Sequence, residues 1–407
     1  MPKNITLHEI AVIGGGPAGS AAAILLARAG RNVVLLEKES APHNKVCGEF
    51  ISWEATHYLN DLGINLPALG AQSINKLRLI DKDRVVEENL PFSAWTLSRR
   101  LLDEALLQKA EQAGVIVRRG VSVNGLSHHP HGWTLNMGQG SNLNAKSVFL
   151  ASGKHDVRGL ARNRSKPDGL IGFKMHFQLT SQQQDRLRDH VEIFLFDGGY
   201  VGLQPIEGGK ANLCFLIKKD IYVSCGKNWI ELLSWVTRRS RYLEEHLAGA
   251  KSLWQQPLTV YGIPYGFIYK PSLGFQNLFR LGDQMAVIPS FAGDGISIAL
   301  HSAFLAARTY LSGLNSDEYY RQARYDFHGP VSNAQTVAAV VSSVLGRKIV
   351  FCLLYLLPGL MLTAINSLRL SGANILNPHE KETLQSVYID KTNLKRASLS
   401  DPPSAFK

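Results

Sequence analysis

The chain has 407 residues, 45% of them hydrophobic and 19% charged, a globular composition long enough for two or three packed units. That excludes a disordered tail protein and a disulfide scaffold. Lysine and arginine number 44 against 33 acids, a formal charge of +11, which favours an anionic partner such as a cofactor phosphate, a nucleic acid or an acidic membrane surface. The charge is dispersed in short clusters such as Arg238-Arg239-Ser240-Arg241, with no basic stripe interleaved with aromatics, so no nucleic-acid partner is expected. Cys47, Cys214, Cys225 and Cys352 form no CxxC pair and have no histidine at zinc spacing, so no metal site is expected. So few thiols suit a reducing compartment, and no apolar signal core precedes the first strand-like run, so a cytoplasmic location is expected.

Residues 9–13 are a short apolar run that reads as a buried parallel strand. It enters Gly14-Gly15-Gly16-Pro17-Ala18-Gly19, then an Ala/Leu/Ile helix over 20–29, then a second strand over 32–36 that ends at Glu37. Gly14 permits the tight turn, Gly16 lets backbone approach a pyrophosphate, and Gly19 lets the helix pack close to the strand. The helix N-terminus offers free N–H groups to the phosphates, and Glu37 can accept hydrogen bonds from a ribose. The pattern predicts dinucleotide binding.

Further along, a strand-like run over 277–281 ends in Gly282-Asp283. Ile288-Pro289-Ser290-Phe291-Ala292-Gly293-Asp294-Gly295 then opens an Ala-rich helix from Ile296 to about Leu311. A carboxylate at a strand end can hold a ribityl hydroxyl, which a nicotinamide dinucleotide lacks. A Gly-rich loop at a helix start can aim N–H groups at a flavin pyrimidine ring and stabilise negative charge there. FAD is therefore the expected dinucleotide.

Together these motifs resemble the superfamily of FAD-dependent oxidoreductases that holds geranylgeranyl reductases, aromatic-ring hydroxylases and flavin-dependent halogenases. The resemblance covers about residues 10–311 and is closest to the geranylgeranyl-reductase-like branch. Ser98-Arg99-Arg100-Leu101-Leu102-Asp103 opens a helix to about residue 113, and the resemblance lays Arg99 against the FAD. The strand 147–153 resembles the family's Ala-Thr-Gly strand, with Ser152 in place of threonine. Lys45-Val46-Cys47-Gly48-Glu49 resembles the Lys-x-Cys-Gly element of geranylgeranyl reductases. It implies Lys45 as a cofactor contact and Cys47 near the isoalloxazine, shaping the site or protonating a carbon; Glu49 is a candidate acid or polar anchor. The later loop adds Gly282, Asp283, Pro289, Gly293, Asp294, Gly295 and Ile296 as cofactor contacts. Tyr200 and Gln204, with Tyr261 and Tyr265, are the expected substrate-pocket residues.

The implied fold is α/β: a Rossmann-type FAD-binding domain (1–70, 97–160 and 275–315) interwoven with an antiparallel-sheet substrate domain (71–96 and 161–274). Strand candidates in the latter are 76–80, 171–179, 191–196 and 211–218, and Gly138-Gln139-Gly140 reads as a hairpin turn. A C-terminal apolar helical region (316–388) and a frayed polar tail (389–407) complete the chain. Residues 349–368 are twenty uncharged residues, near the length that spans a bilayer, but Pro358-Gly359 interrupts them. Three readings compete: a buried helical pair covering the substrate cavity, a peripheral membrane contact, and a true span. The first two imply a hydrophobic substrate.

The favoured reaction is reduction of a C=C bond in a prenyl lipid, quinone or alkyl-chain polyketide by hydride from reduced flavin. The main alternative is a monooxygenase that hydroxylates an aromatic ring with O2 and NAD(P)H through a flavin C4a-peroxide. Ring hydroxylases usually carry Gly-Asp-Ala-Ala-His where this chain has Gly282-Asp283-Gln284-Met285-Ala286. Halogenases usually carry a Trp-x-Trp-x-Ile-Pro strand and a catalytic lysine, and the comparable stretch 199–205 has no tryptophan. A non-enzymatic flavin-bearing partner protein is the remaining alternative. No second GxGxxG follows a strand, so NAD(P)H docks without a Rossmann domain of its own, or a reductase partner supplies electrons.

Overall fold

The computed structural model describes residues 7–138, 141–162, 169–262, 265–271, 275–357 and 359–370. The chain opens with β1 (Leu7–Ile13), α1 (Pro17–Arg28) and β2 (Val33–Glu37). After β3 (Phe50–Ile51) and α2 (Trp53–Asp61), a long hairpin of β4 (Gln72–Asp81) and β5 (Arg84–Thr96) leads to α3 (Arg99–Gln112) and β6 (Ile116–Arg119). The hairpin β7 (Gly125–His129) and β8 (Gly132–Asn136) precedes β9 (Asn142–Leu150). Next come β10 (Leu170–Gln178), α4 (Ser181–Leu187), β11 (Asp189–Phe196), β12 (Gly199–Ile206) and β13 (Lys210–Lys218). Short helices α5 (Lys219–Ser224), α6 (Trp229–Thr237) and α7 (Arg241–Leu247) are followed by β14 (Lys251–Ser252), β15 (Leu258–Tyr261), β16 (Phe267–Ile268), β17 (Leu278–Arg280) and β18 (Ala286–Val287). Four helices finish the described chain: α8 (Gly295–Leu311), α9 (Ser316–Ser342), α10 (Val344–Leu356) and α11 (Leu360–Ser367).

The first sheet runs β6-β2-β1-β9-β8-β7, with β17 beside β9. The pairs β1–β2, β1–β9, β2–β6 and β9–β17 are parallel, and the crossover α1 packs on both β1 and α8. Buried on both faces, β2 is five consecutive buried residues, Val33 to Glu37, as a central parallel strand requires. The β8–β9 hairpin matches the turn expected at residues 138–140, of which Gln139 and Gly140 lie outside the described residues.

The second sheet runs β14-β10-β13-β12-β11-β4-β5-β3, with β15 also on β10. It is antiparallel except for β11 beside β4, which is a parallel pair. One face packs Phe173 and Phe215 against Trp229 of α6, the latter two rings stacked 6.0 Å apart. The other end of β10 and the β12–β13 pair reach the strand ends of the first sheet, and the cavity lies there.

The apolar segment after residue 348 is two helices broken at residues 357–359, with Gly359 at φ +86°; Pro358 lies outside the described residues. No residue of 344–357 or 359–370 lines the cavity, so the reading in which this segment covers the cavity fails. The reason is directional: α10 turns only Arg347 and Phe351 inward, and α11 buries Met361 and Ile365. Among the described residues no single helix is long and apolar enough to cross a membrane.

Candidate active site

One cavity of about 870 Å³ runs from the glycine turn after β1 to the inner strands of the second sheet. That is at the upper end of the size of ligand pockets, about 300–1,000 Å³. At one end Gly14, at φ +103°, leaves no room for a side chain, since a Cβ would lie 2.4 Å from the Ala151 carbonyl oxygen. At Gly19 a Cβ would lie 1.9 Å from the Gly14 oxygen, so α1 sits directly against the turn. Glu37 accepts the N–H groups of Gly15 (2.5 Å) and Glu39 (3.0 Å), closing the turn while it lines the cavity.

Gly16 faces two cations. The nearest atoms to a Cβ there would be Arg99 Nη2 at 3.5 Å and Lys45 Nζ at 3.9 Å. Asp103, one helical turn beyond Arg99, orients both: it accepts Arg99 Nε at 2.7 Å, Arg99 Nη2 at 2.9 Å and Lys45 Nζ at 2.9 Å. Burial opposes the charge on Asp103, but Arg99 and Lys45 outweigh it and hold the carboxyl below its ordinary range. Bare backbone, a helix N-terminus and two fixed cations suit a diphosphate, so these residues fit the nucleotide half of FAD. Asp103 escaped the sequence reading, although its i+4 spacing from Arg99 was a signal.

The middle of the cavity is crossed by the segment Lys45-Val46-Cys47-Gly48-Glu49. Its five consecutive carbonyls each accept a bond from elsewhere in the chain: Lys174 Nζ to Lys45 (3.0 Å), Lys154 Nζ to Val46 (3.2 Å), Asn212 Nδ2 to Cys47 (3.1 Å) and Gly48 (2.9 Å), and Leu97 N to Glu49 (3.3 Å). Gln204 Nε2 also donates to the Gly48 carbonyl. The Cys47 thiol is thereby held on the cavity wall, where its Sγ accepts the Glu49 N–H at 3.3 Å.

Glu49 is fully buried, and its backbone is left-handed at φ +61°. Its carboxylate accepts Lys174 Nζ, the Arg99 N–H at 2.7 Å and His176 Nε2 at 2.8 Å. Burial favours the neutral acid, yet Lys174 and His176 overcome it and hold Glu49 below the usual carboxylate range. Of the two roles expected for Glu49, it fills that of polar anchor.

Gly282 lines the cavity at φ +55°, where a Cβ would lie 3.2 Å from Ala18, and its N–H donates to Ser302 Oγ at 2.9 Å. Asp283 lines the same stretch, and its carbonyl accepts buried Arg162 at 2.5 Å. Gly293, Gly295 and Ile296 bring the N-terminus of α8 to the cavity, while Pro289 and Asp294 stand behind its surface. Asp294 is instead the N-cap residue of α8, ion-paired with Arg369, whose guanidinium also lies 5.6 Å from the Phe50 ring.

Tyr200 and Tyr265 line the cavity, and Tyr200 Oη lies 2.5 Å from Ser290 Oγ. Burial, with the Tyr265 phenol beside it, holds the Tyr200 hydroxyl well above its ordinary pKa. Two expected pocket residues are corrected. Gln204 does not line the cavity, because its amide is spent on Gly48. Tyr261 is 56% exposed, since β15 alternates and turns Leu258 and Val260 inward. Cys214 of β13, which the sequence did not single out, also lines the cavity, and burial pushes its thiol up to about 12.

Residues 8–152 match the FAD binding domain family. Over 317 residues the chain is 25% identical to a menaquinone reductase of Mycobacterium tuberculosis, covering 74% of this chain and 75% of that one. It is 26% identical over 335 residues to digeranylgeranylglycerophospholipid reductase 2 of Methanosphaera stadtmanae, covering 76% and 79%. Among solved structures, the flavin-dependent brominase Bmp2 matches with a TM-score of 0.73 at 19% identity, over 95% of this chain and all of that one (100%), a likeness of fold. With the diphosphate cradle, the pinned cysteine segment and the α8 N-terminus on one cavity, the chain is an enzyme of the FAD-dependent oxidoreductase superfamily that includes geranylgeranyl and menaquinone reductases, flavin monooxygenases and flavin-dependent halogenases.

Proposed function

We propose that this enzyme reduces a carbon–carbon double bond in a hydrophobic small molecule: a prenyl lipid, a quinone or an alkyl-chain polyketide. The observation that carries this reading is the composition of the cavity beyond the diphosphate cradle. There the Cys47 thiol lines the cavity together with the apolar Leu216, Leu258 and Val260, and the Cys214 thiol and Tyr200 hydroxyl, also on the lining, hold their protons more tightly through burial. The two reductases that cover three quarters of the chain support the same direction.

When bound, reduced FAD supplies a hydride to one carbon of the double bond. Lys45 and Arg99 would hold its diphosphate against Gly16, with Asp103 fixing both cations. The N-terminus of α8, reached through Gly293 and Gly295, would stabilise negative charge at the ring. Cys47 would give its proton to the second carbon. Its Sγ already accepts the Glu49 N–H, and the thiolate left behind would face Arg99, on whose charge Cys47 acts favourably. Solvent then returns the proton. The electrons come from NAD(P)H docking transiently or from a reductase partner.

The test mixes the anaerobically reduced holoenzyme with a polyprenyl lipid or a prenylated quinone. The expected product gains two hydrogens and no oxygen, and Cys47→Ala slows flavin reoxidation about a hundredfold, the scale of a lost general acid. Products that gain one oxygen in air, with no anaerobic reaction, would overturn reduction in favour of ring hydroxylation.

A further inference from the structure

We propose that α10 is a docking surface for an anionic lipid bilayer, rimmed by cations that three separate segments bring together. An α-helix at a protein surface normally turns its apolar stripe inward. In α10 the stripe faces out: Leu345 is 68% exposed, Ile349 49%, Leu353 40% and Leu356 69%, each about one helical turn from the last. The inward face carries the buried Arg347, whose Nε lies 3.6 Å from Asp81 Oδ1, and Phe351. Exposed apolar residues scattered singly need no explanation, but a continuous stripe of them does.

Charge identifies the occupant. The turn between β4 and β5 touches α10 twice, through Asp81 and through the Val85 carbonyl, which accepts Tyr355 Oη at 2.9 Å. Its tip exposes Lys82 and Arg84. Ser240 Oγ donates to the Lys82 carbonyl at 3.1 Å, which brings exposed Arg238 and Arg239 to the same turn. Lys348 stands exposed on α10 itself. The acids nearby are Asp83 at the tip and, on α7, Glu244 and Glu245, the latter paired with Arg241 at 2.9 Å. The cations Lys82, Arg84, Arg238, Arg239 and Lys348 therefore outnumber Asp83 and Glu244 around an apolar stripe. A second copy docked on this face would bring like cations together, whereas anionic headgroups over acyl chains complement both the charge and the stripe.

Length sets the mode of contact. The 13 residues of α10 rise about 20 Å, short of the roughly 30 Å of a bilayer core, so the helix lies in the interface and does not cross it. This inference uses no feature of the flavin site and holds whatever the reaction.

Holoenzyme cosedimentation with vesicles tests it. Binding is expected to phosphatidylcholine vesicles containing phosphatidylglycerol, about tenfold weaker to pure phosphatidylcholine, and reduced by salt. Leu345→Asp with Leu356→Asp, and separately Lys82→Glu with Arg84→Glu, should each weaken binding about tenfold while leaving the bound-flavin content unchanged. The charge pair keeps the test open where the leucine pair fails to fold. Absence of binding to the anionic vesicles, binding that neither pair of substitutions moves, or a dimer in solution that the leucine substitutions dissolve, would overturn the proposal.

Discussion

Glu49 and Glu54 lie five positions apart in the sequence, one on each side of β3, and both side chains are fully buried. Glu49 meets Lys174 and His176, which alternate along β10 and so point to one side of it. Glu54 meets a second acid. Asp294 lies beside it, and Arg369 is the cation that acts on both. Burial followed by Asp294 pushes Glu54 up to about 7, and burial likewise raises Asp294. The same side chain, equally buried, is thus a fixed anion in one place and a proton holder in the other. What separates them is the partner set, not the burial.

The sharpest way to break this contrast is to turn Glu49 into a second Glu54. Lys174→Met removes the nearer cation and leaves the buried carboxylate with His176 and the Arg99 N–H. Breaking a buried pair from one side costs about 3–5 kcal/mol, so urea unfolding of the variant should show a loss of that size at pH 7. Glu49 should then titrate at a higher pH. A loss below about 1 kcal/mol would mean that water reaches the pair and that the segment 45–49 does not depend on it.

Glu54 supplies the opposite sign of pH dependence. In the unfolded chain its carboxyl releases its proton near the ordinary value of 4.5, and in the folded enzyme only near 7. Between those values folding takes up a proton, so the contribution is complete below pH 4.5 and is lost as pH rises through 7. The difference is worth about 3 kcal/mol at 1.36 kcal/mol per unit. Glu54→Gln, which mimics the protonated acid, should therefore gain stability relative to the parent enzyme by about that much between pH 5 and pH 8. Glu49 works the other way, its contribution present above 4.5 and lost as pH falls through its lowered value. Parallel stability curves for the two proteins across pH 5 to 8 would show that the proton is not held at Glu54.

The nucleotide end of the site was legible because its constraints are local. Gly19 packs directly on Gly14, and that spacing of six residues carries the information, even though Gly14 also meets the distant Ala151 carbonyl and Gly16 the side chains of Arg99 and Lys45. The middle of the cavity is built from distant pairs: Cys47 with Asn212, Lys45 with Lys174, Asp294 with Arg369. No spacing rule links such positions, although Lys174 and His176, two ionisable residues inside a buried strand, hinted at a hidden anion. Tyr261 failed for a different reason. The aromatic stretch was recognised, but a one-residue difference in register decides which side chain of β15 faces inward, and that is set by pairing with β10.

Gln204 offers the finest distinction, between a residue that touches substrate and one that holds the segment that does. Its amide donates to the Gly48 carbonyl, which Asn212 also bonds at 2.9 Å, so one of two donors is lost in Gln204→Ala. A single hydrogen bond contributes about 1 kcal/mol, and the second donor keeps the carbonyl satisfied, so the unfolding free energy should fall by about that amount. Because the side chain lies off the cavity, KM for the substrate should stay within about twofold. Under the proposed reaction, turnover should fall modestly as Cys47 gains freedom, since small misplacements of a reacting group are felt in kcat. A large rise in KM with unchanged stability would reverse the assignment and return Gln204 to the substrate pocket.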